Sequence, residues 1–381
     1  MAATNGATSN GAAANVGGPV PAPRQGIDWE SLGFGLTTKD TLMSVATCKL
    51  GGEWSDYKVV PYGSIPMEPA ATVLNYGQAT FEGMKAYRTN DGRIVIFRPE
   101  MNAIRMKQGA ERMMMPPLPE QLFMEIVGAC ARGNGDWVPP AGVGALYLRP
   151  VLLGTGGALG VCPSTEYTFI VYAAPVSQYF KGGARMLVER SHQRAAPLGT
   201  GNVKAAGNYA PCFQVQHNAK KAGFSDVIYL DVKGENIEEA AASNFFSVGK
   251  DSVLRTPSLG SILTGVTRDS VIEIAKRLAR EGSPLKGVEV GPLSLETAMS
   301  SAETFVTGTG AAISPIEHLS ADGRAVDFPA PGPISKLLQD SMKDIQLANV
   351  VDSFNWLWDP FHDPTGAERL AKLGAIDAFK Q

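Results

Sequence analysis

Residues 199–211 read GTGNVKAAGNYAP, a stretch that sets one lysine, Lys204, among small and apolar neighbours and places Tyr209 shortly after it. An amine is nucleophilic only when it is unprotonated, and an apolar, poorly hydrated setting disfavours the ammonium form. Such a lysine can form a Schiff base near neutral pH. Taken alone, the stretch also suits an ordinary surface lysine, which is the commoner situation. The hypothesis of covalent chemistry therefore depends on the rest of the chain.

The composition is that of a globular protein that acts on small molecules. Hydrophobic residues make up 44% of the 381 residues and charged residues 19%, and this length suits about two domains. The formal net charge is −3, so no basic field points to nucleic acid or to an anionic membrane as a partner. Cysteines and histidines are few and scattered, and without short-spaced ligand clusters we predict no metal site.

Changes in composition divide the chain into four segments. We predict a disordered tail over residues 1–27, a small N-terminal domain over 28–177, an inter-domain linker over 178–192 and a large C-terminal domain over 193–381. The tail is rich in Ala, Asn, Gly and Pro and contains no acid, so it cannot bury a core. It lacks the arginines of a transit peptide and the charged start of a signal peptide. We predict a cytoplasmic protein, with a plastid or mitochondrion as the alternative if the tail is a targeting segment.

Strand-like and helix-like stretches alternate along both halves, which predicts an α+β fold. In the first half we predict strands TVLNY (72–76), GRIVIF (92–97), ALYLRPVLL (145–153) and EYTFIVYAA (166–174), with helices MNAIRMKQGAERM (101–113) and EQLFMEIVGACA (120–131). In the second half we predict helices NYAPCFQVQHNAKKAG (208–223), TRDSVIEIAKRLARE (267–281, closed by Gly282) and ISKLLQDSMKDIQLA (334–348), with strands DVIYLD (226–231) and TFVTG (304–308).

Two loops are candidate anion sites. LTGVTRDS (263–270) runs straight into a predicted helix, and the free N–H groups and positive dipole end of a helix start bind phosphate. TGTGAA (307–312) follows a predicted strand, and its small and hydroxyl residues can hold phosphate oxygens or a carboxylate. A plainer structure is possible at each: an ordinary helix capped by Thr267 in the first, a simple glycine turn in the second.

Glu239 is a further candidate functional residue. It lies in GENIEEAAASNFF, where three alanines follow it and no basic residue is near to pair with it. A buried carboxylate needs a partner, so Glu239 would need one from outside its own segment. A pyridinium nitrogen would serve.

Seven stretches, in this order and spacing, resemble the branched-chain amino-acid aminotransferases of the fold-type IV pyridoxal-phosphate class, of plant or bacterial type: NYGQATFEGMKAYR, FRPEMNAIR, LYLRPVLLGT, GNVKAAGNY, the Glu239-to-Asn244 stretch, LTGVTRD and TGTGAAISP. The resemblance runs from about Asp28 to the C-terminus. It implies a small α/β domain and a larger pseudo-barrel α+β domain with pyridoxal 5'-phosphate at their interface. It also implies a homodimer and ping-pong transfer of the amino group of L-leucine, L-isoleucine or L-valine to 2-oxoglutarate.

The resemblance carries over residue by residue. It implies that Lys204 binds the cofactor as a Schiff base, that Tyr209 hydrogen-bonds the phenolic oxygen and that Glu239 faces the pyridine nitrogen. The phosphate would be held by Arg105, the N–H groups of Val266 and Thr267, and Thr309. The positions that match the family's substrate pocket are Phe34, Tyr76, Phe81, Tyr147, Arg149, Val161, Tyr179 and Gly310. Arg149, on the same strand face as Tyr147, would answer the glutamate side-chain carboxylate.

Two other activities on the same fold share Lys204, Glu239 and the phosphate loops: a D-amino-acid aminotransferase and an aminodeoxychorismate-type lyase. The LYLRPVL segment and the apolar pocket favour the branched-chain enzyme. A cofactor-binding protein without turnover is a more remote alternative, because Lys204, Tyr209 and Glu239 are all present.

Overall fold

The computed structural model describes residues 18–37, 39–177 and 182–373. It contains two β-sheets with helices packed against them, and the predicted α+β class is confirmed. The strands, in chain order, are β1 (Leu42–Lys49), β2 (Lys58–Pro61), β3 (Ala79–Phe81), β4 (Met84–Arg88), β5 (Ile94–Phe97), β6 (Ala145–Gly154), β7 (Glu166–Val176), β8 (Ala184–Glu189), β9 (Asp226–Leu230), β10 (Ile237–Ala240), β11 (Asn244–Val248), β12 (Val253–Thr256), β13 (Gly287–Val290), β14 (Glu303–Gly308), β15 (Ala312–Ala321), β16 (Arg324–Asp327) and β17 (Leu357–Trp358).

The helices lie between these strands. They are α1 (Thr72–Tyr76), α2 (Pro99–Arg112), α3 (Glu120–Gly133), α4 (Phe213–Lys221), α5 (Val266–Arg280), α6 (Leu295–Met299), α7 (Pro333–Gln346) and α8 (Ala367–Leu373). Within the residues that the structure describes, no helix combines the length and the apolar character that a bilayer span requires.

The first sheet is antiparallel and runs in the order β17-β5-β4-β6-β7-β1-β2, with β3 paired to β6. Along β6, apolar side chains alternate between buried and half-buried positions, the period-2 pattern of a strand with one face in a core. Helices α2 and α3 cover that face, and Phe123, Leu148 and Phe169 lie in the core between them.

The second sheet is mixed and closes on itself. Its strands follow the order β10-β9-β8-β15-β14-β11, and β11 pairs back to β10 through Glu239 and Asn244. This closure makes a six-stranded barrel-like ring of the described strands, with β12, β13 and β16 on its margins. Apolar residues of the ring such as Phe245 and Val306 form one core with α6. Helices α5 and α7 pack on the outside of the ring and form a second core with it. The implied pseudo-barrel is therefore present.

Two local predictions need correction. The predicted strand TVLNY is instead the one-turn helix α1. The helix ends at Gly77, whose left-handed conformation (φ 67°) is typical of a helix C-terminus. Part of the tail is packed: the N–H of Arg24 donates to the Asp136 carbonyl, and Arg88 donates to the Pro21 carbonyl. Residues 1–17 lie outside the described part.

Two strands cross the predicted division into domains, whose limits stay a prediction. Strand β8 (Ala184–Glu189) lies within the predicted linker over 178–192, and its apolar side chains belong to the core of the second sheet. Residues 178–181 of that linker are not among those described. At the other end, β17 pairs with β5, so the chain returns to the first sheet after completing the second.

Candidate active site

Lys204 is held at the junction of the two sheets by its own backbone. Its carbonyl oxygen accepts hydrogen bonds from the Thr80 hydroxyl (3.0 Å) and from the N–H of Phe81 (3.2 Å), both on β3 of the first sheet. The side chain of Asn208 ties the surrounding loop together, since its amide donates to the carbonyls of Thr200 and Val203. The glycine-rich stretch that suggested covalent chemistry is thus a fixed loop between β8 and α4.

The amine of Lys204 points into an aromatic corner. Its Nζ donates to the Tyr209 hydroxyl at 2.9 Å and lies 4.7 Å from the centre of the Phe81 ring. The two rings meet edge to face at 4.9 Å. A short 3-10 turn over Ala206–Asn208 brings Tyr209 back beside Lys204, which explains the spacing seen in the sequence.

Glu239 is buried on β10, and one of its oxygens accepts no hydrogen bond within the described part of the chain. Burial raises the pKa of its carboxyl from 4.5 to about 7, against the opposing effect of Arg194. The Nη2 atom of Arg194 lies 3.9 Å from Glu239 Oε1, and that oxygen accepts no hydrogen bond from the described residues. A buried, unsatisfied acceptor is costly, so Glu239 is ready for a donor from a ligand.

Arg194 contacts both Glu239 and Tyr209, and the sequence analysis did not identify it as a site residue. Its Nε donates to the Ala241 carbonyl at 3.0 Å, and its guanidinium stacks 4.9 Å from the centre of the Tyr209 ring. Its signal in the sequence is weak, because an isolated arginine in a loop is ordinarily exposed.

The start of α5 presents free N–H groups. Gly265 is the residue before the helix and offers no side-chain cap, so Thr267 is not the N-cap but the second residue of the helix. The first backbone bond of the helix runs from the N–H of Asp269 to the Gly265 carbonyl. The N–H groups of Val266 and Thr267 precede it and have no acceptor within the helix, as is general for a first turn.

Arg105 lies on α2, which packs on the first sheet, and its side chain reaches the start of α5. Its Nε and Nη2 bind the buried carboxylate of Glu82 at 2.6 and 2.7 Å, and its Nη1 donates to the Thr264 carbonyl at 2.8 Å. A guanidinium has five N–H donors, so donors remain for an anion. Glu82 is a further residue that sequence reasoning missed. Because its partner lies on another element, nothing near it in the sequence suggested the pair.

All seven residues predicted to touch the cofactor line one cleft: Arg105, Lys204, Tyr209, Glu239, Val266, Thr267 and Thr309. The unsatisfied Glu239 oxygen suits a protonated ring nitrogen, the Lys204 and Tyr209 pair suits an aldehyde and a phenolate, and the α5 start suits a phosphate. The residues present therefore fit pyridoxal phosphate.

The substrate residues divide into those that lie near Lys204 or Thr309 and those that do not. Phe34 packs on Tyr147 with ring centres 5.2 Å apart, and Arg149 donates to the Tyr147 hydroxyl at 3.2 Å. The Arg149 guanidinium lies 5.0 Å from the Phe81 ring centre, so this group adjoins Lys204. Gly310 follows Thr309, which lines the cleft.

Tyr76 and Val161 lie elsewhere on the surface. Tyr76 is 42% exposed and donates to the Leu159 carbonyl at 2.6 Å, and Val161 is 89% exposed. Neither lines the cleft around Lys204. Tyr179 falls outside the described residues.

Comparison with known proteins identifies the family of the chain. A family model described as "Amino-transferase class IV" matches residues 79–319. The chloroplastic branched-chain-amino-acid aminotransferase 5 of Arabidopsis thaliana is 42% identical over 337 residues, covering 87% of this chain and 79% of that protein. Methionine aminotransferase BCAT4 of the same plant is 38% identical over 335 residues, covering 87% and 92%.

Solved structures have the same architecture. The branched-chain amino acid aminotransferase from Escherichia coli superposes with a TM-score of 0.68 at 28% identity, covering 83% of this chain and 98% of that one. A second branched-chain amino acid aminotransferase, solved in complex with N-(5'-phosphopyridoxyl)-L-glutamate, gives a TM-score of 0.71 at 26% identity, covering 85% and 99%.

Proposed function

The chain belongs to the class IV aminotransferases, among the pyridoxal-phosphate-dependent branched-chain-amino-acid aminotransferases, and we propose that Lys204, Tyr209 and Glu239 are its catalytic residues. The family predicted from the sequence is thereby confirmed. The proposal for the residues rests on one observation above all: the amine of Lys204 meets Tyr209 in the same cleft in which one Glu239 oxygen accepts no hydrogen bond from the described residues.

When bound, pyridoxal phosphate withdraws electrons from the α-carbon of an attached amino acid. Glu239 would serve this in its ionised form, by accepting a hydrogen bond from the ring nitrogen and keeping that nitrogen protonated. Arg194, 3.9 Å away, favours that ionised form. Arg194 acts through Glu239 and is a positioning residue.

In the proposed reaction, Lys204 carries the proton. As a free amine beside the cleft it can accept the proton from the substrate α-carbon, because a base must lie within hydrogen-bond reach of the proton it takes. The Tyr209 hydroxyl, 2.9 Å from Nζ, orients the amine, and the β3 contacts to the Lys204 carbonyl hold its backbone still.

The phosphate site is proposed at the meeting point of α2 and α5. The N–H groups of Val266 and Thr267 supply donors along the helix dipole, and the remaining donors of Arg105 supply charge. Thr309 contributes its backbone N–H, since its hydroxyl already donates to the Gly83 carbonyl at 3.0 Å.

We propose that the Phe34, Phe81 and Tyr147 rings bind the aliphatic side chain and that Arg149 binds the side-chain carboxylate of glutamate and 2-oxoglutarate. An apolar wall with one hydrogen-bonded cation at its edge accepts both substrates. L-Leucine, L-isoleucine and L-valine are the proposed donors, and 2-oxoglutarate is the proposed acceptor, in a ping-pong sequence.

A homodimer completes the proposal. Tyr76 and Val161 match pocket positions of the family but face outward, together with the exposed Leu74 and Leu159. Exposed apolar clusters of this kind commonly mark interfaces. In the proposed dimer, Tyr76 and Val161 of one subunit close the cleft of the other.

The compartment stays a prediction. Relatives include proteins named as chloroplastic and as mitochondrial. We propose the cytoplasm for this chain, or one of those organelles if residues 1–27 act as a targeting segment.

The activity is tested by the absorption spectrum of the cofactor-loaded protein, recorded before and after adding L-leucine without any oxo acid. We expect the band of lysine-bound pyridoxal phosphate to convert to the shorter-wavelength pyridoxamine phosphate band, and 2-oxoglutarate to restore it. A Lys204→Ala variant should show neither change. A wild-type band that L-leucine leaves unaltered would contradict the proposed substrate class.

A further inference from the structure

Thr307 is a buried residue to which the proposed reaction gives no role. It lies on β14 and is wholly buried, and its hydroxyl makes no hydrogen bond with any of the described residues. A buried hydroxyl without a hydrogen bond costs free energy that a valine of the same shape would not cost. Of the buried hydroxyls that lack a partner among the described residues, that of Thr307 is the one whose residue lines the cleft around Lys204.

Thr307 ends a row of three residues that crosses the second sheet. Glu239 of β10 pairs with Asn244 of β11, and Asn244 pairs with Thr307 of β14. Residues directly opposite each other in antiparallel strands present their side chains on the same face. Thr307 therefore lies two strand spacings, about 10 Å, from the proposed ring-nitrogen site. In pyridoxal phosphate the phosphate stands at a comparable distance from the ring nitrogen once a hydrogen bond is added at each end.

The face of the sheet that carries Thr307 is the face on which α5 packs. Side chains alternate along β14, so Thr307 shares a face with Phe305. Phe305 lies in the core with α5 and α7, whereas Val306 lies in the core with α6. Helix α5 begins at Val266, which lines the same cleft as Thr307. Thr307 is thus on the side of the sheet where the phosphate site is proposed.

The threonine that the resemblance matched to the phosphate already uses its hydroxyl. Thr309 donates to the Gly83 carbonyl at 3.0 Å, and a hydroxyl has a single proton to donate. The hydroxyl of Thr307, two residues earlier, donates to none of the described residues. Phosphate oxygens are strong acceptors, because a hydrogen bond to a charged oxygen is about twice as strong as one between neutral groups. A phosphate at the start of α5 would satisfy this buried hydroxyl.

We propose that Thr307 is a further cofactor-binding residue: its hydroxyl donates a hydrogen bond to a phosphate oxygen of pyridoxal phosphate, beside the free N–H groups of α5. The hydroxyl thereby helps the cleft to bind the phosphorylated cofactor in preference to pyridoxal, which has no phosphate. The inference rests on the proposed function, because it takes the start of α5 as the phosphate site.

The test compares two aldehydes that differ in the phosphate. The full-length apoprotein is titrated with pyridoxal phosphate and with pyridoxal, and the absorption band of the lysine-bound aldehyde gives the Kd of each. In Thr307→Val, the Kd for pyridoxal phosphate should rise about 10- to 100-fold, the range expected for a lost hydrogen bond to a charged group. The Kd for pyridoxal should change little. Thr307→Ser keeps the hydroxyl and should recover most of the affinity for pyridoxal phosphate.

The matched control is Thr304→Val, the same change on the same strand. The hydroxyl of Thr304 is also buried without a partner among the described residues, but Thr304 does not line the cleft, so neither Kd should change. An unchanged Kd for pyridoxal phosphate in Thr307→Val, or an equal rise for both aldehydes, would overturn the inference. A wild-type protein that forms no such band with pyridoxal phosphate would instead overturn the proposed function, and the inference with it.

A second measurement needs no variant. In a crystal structure of the wild-type holoenzyme, we expect the Thr307 hydroxyl oxygen to lie about 2.5 to 3.0 Å from a phosphate oxygen, the distance of a hydrogen bond between a hydroxyl and an oxygen acceptor. A Thr307 hydroxyl more than about 3.5 Å from every phosphate oxygen would contradict the inference.

Discussion

Glu239 combines burial with an unsatisfied oxygen, so its ionised form is held in the protein at a cost. The pKa of a buried acid rises, which means that the folded protein binds the proton more tightly than the unfolded chain does. For Glu239 the pKa rises from 4.5 to about 7. The folded apoprotein therefore loses stability as the pH rises from about 4.5 to about 7, by about 3 kcal/mol when complete.

We predict that Glu239→Gln removes this loss. The apoprotein of the variant should have a higher Tm than the wild type at pH 8 and show no such gain at pH 4.5, because glutamine carries no charge to bury. Pyridoxal phosphate should reverse the order at pH 8, since the wild-type carboxylate then has its partner. Thermal unfolding with and without cofactor checks both points. A Tm difference independent of pH would be inconsistent with a buried, ionised Glu239.

The sequence was sufficient for Lys204, Tyr209 and Glu239 as candidates, because each depends on its immediate neighbours. Lys204 and Tyr209 share one loop, and the alanines after Glu239 showed that its partner had to come from elsewhere. Arg194 could not be predicted. Its contact with Glu239 joins residues distant in the sequence, and it is created by the folded arrangement of the second sheet.

Closure of the second sheet positions two parts of the site through one residue. Asn244 pairs with Glu239 where β11 meets β10, and its side-chain amide donates to the Leu263 carbonyl at 2.9 Å. The same side chain lies against Gly265 at the start of α5: a Cβ added to Gly265 would stand 2.0 Å from Asn244 Oδ1. The ring-nitrogen site and the phosphate site are thus set by one strand pair.

We predict that Gly265→Ala weakens cofactor binding. The added methyl group must displace Asn244 or the first turn of α5, at a cost of about 1 to 3 kcal/mol, so the Kd for pyridoxal phosphate should rise about 5- to 150-fold. Equilibrium titration of the apoprotein measures it. Gly287→Ala is the matched control, because a Cβ there meets no atom within 4 Å. Equal cofactor affinity in the two variants would contradict the packing argument.

Element type was predictable where the period was long and clear, as in α2, α3 and α5. The start of α5 was harder to predict, because the sequence allowed Thr267 as the N-cap. In the structure Gly265 precedes the helix, since close packing on Asn244 leaves no room for a side chain there. The strand predicted at 72–76 is a single helical turn, since five residues carry too little periodicity to separate the two forms.

At the scale of the molecule, the cleft is assembled from both sheets, and the proposed dimer adds residues from a second copy. A subunit with Lys204→Ala lacks the amine, and a subunit with Tyr76→Ala lacks the aromatic ring. If Tyr76 acts on the neighbouring cleft, a hybrid of the two variants contains one complete site, whereas a hybrid of subunits that each use their own Tyr76 contains none.

We therefore predict that co-expressed Lys204→Ala and Tyr76→Ala subunits, purified as hybrids through two tags, convert L-leucine faster than either homodimer. The expected rate is about half that of the wild type, from the one intact site in two. Sedimentation of the wild type establishes that a dimer is present. Hybrids no more active than the Tyr76→Ala homodimer would contradict exchange of Tyr76 between subunits, as would full activity of that homodimer.

The two-sheet architecture was expected from the resemblance to the family. Periodicity could not predict it, because hydrophobic alternation identifies strands but not which strands pair. The return of β17 to the first sheet and the packing of Arg24 on Asp136 are long-range pairings of this kind. The linker predicted over 178–192 contains β8, because a change in composition does not show which sheet a segment joins.

The most direct test of the account is to identify the lysine that holds the cofactor. The holoenzyme is reduced with borohydride, digested and examined by mass spectrometry for the lysine that carries the pyridoxyl phosphate group. We predict Lys204, whose amine meets Tyr209 in the cleft. Modification of another lysine, such as the buried Lys85, or of none, would contradict the account.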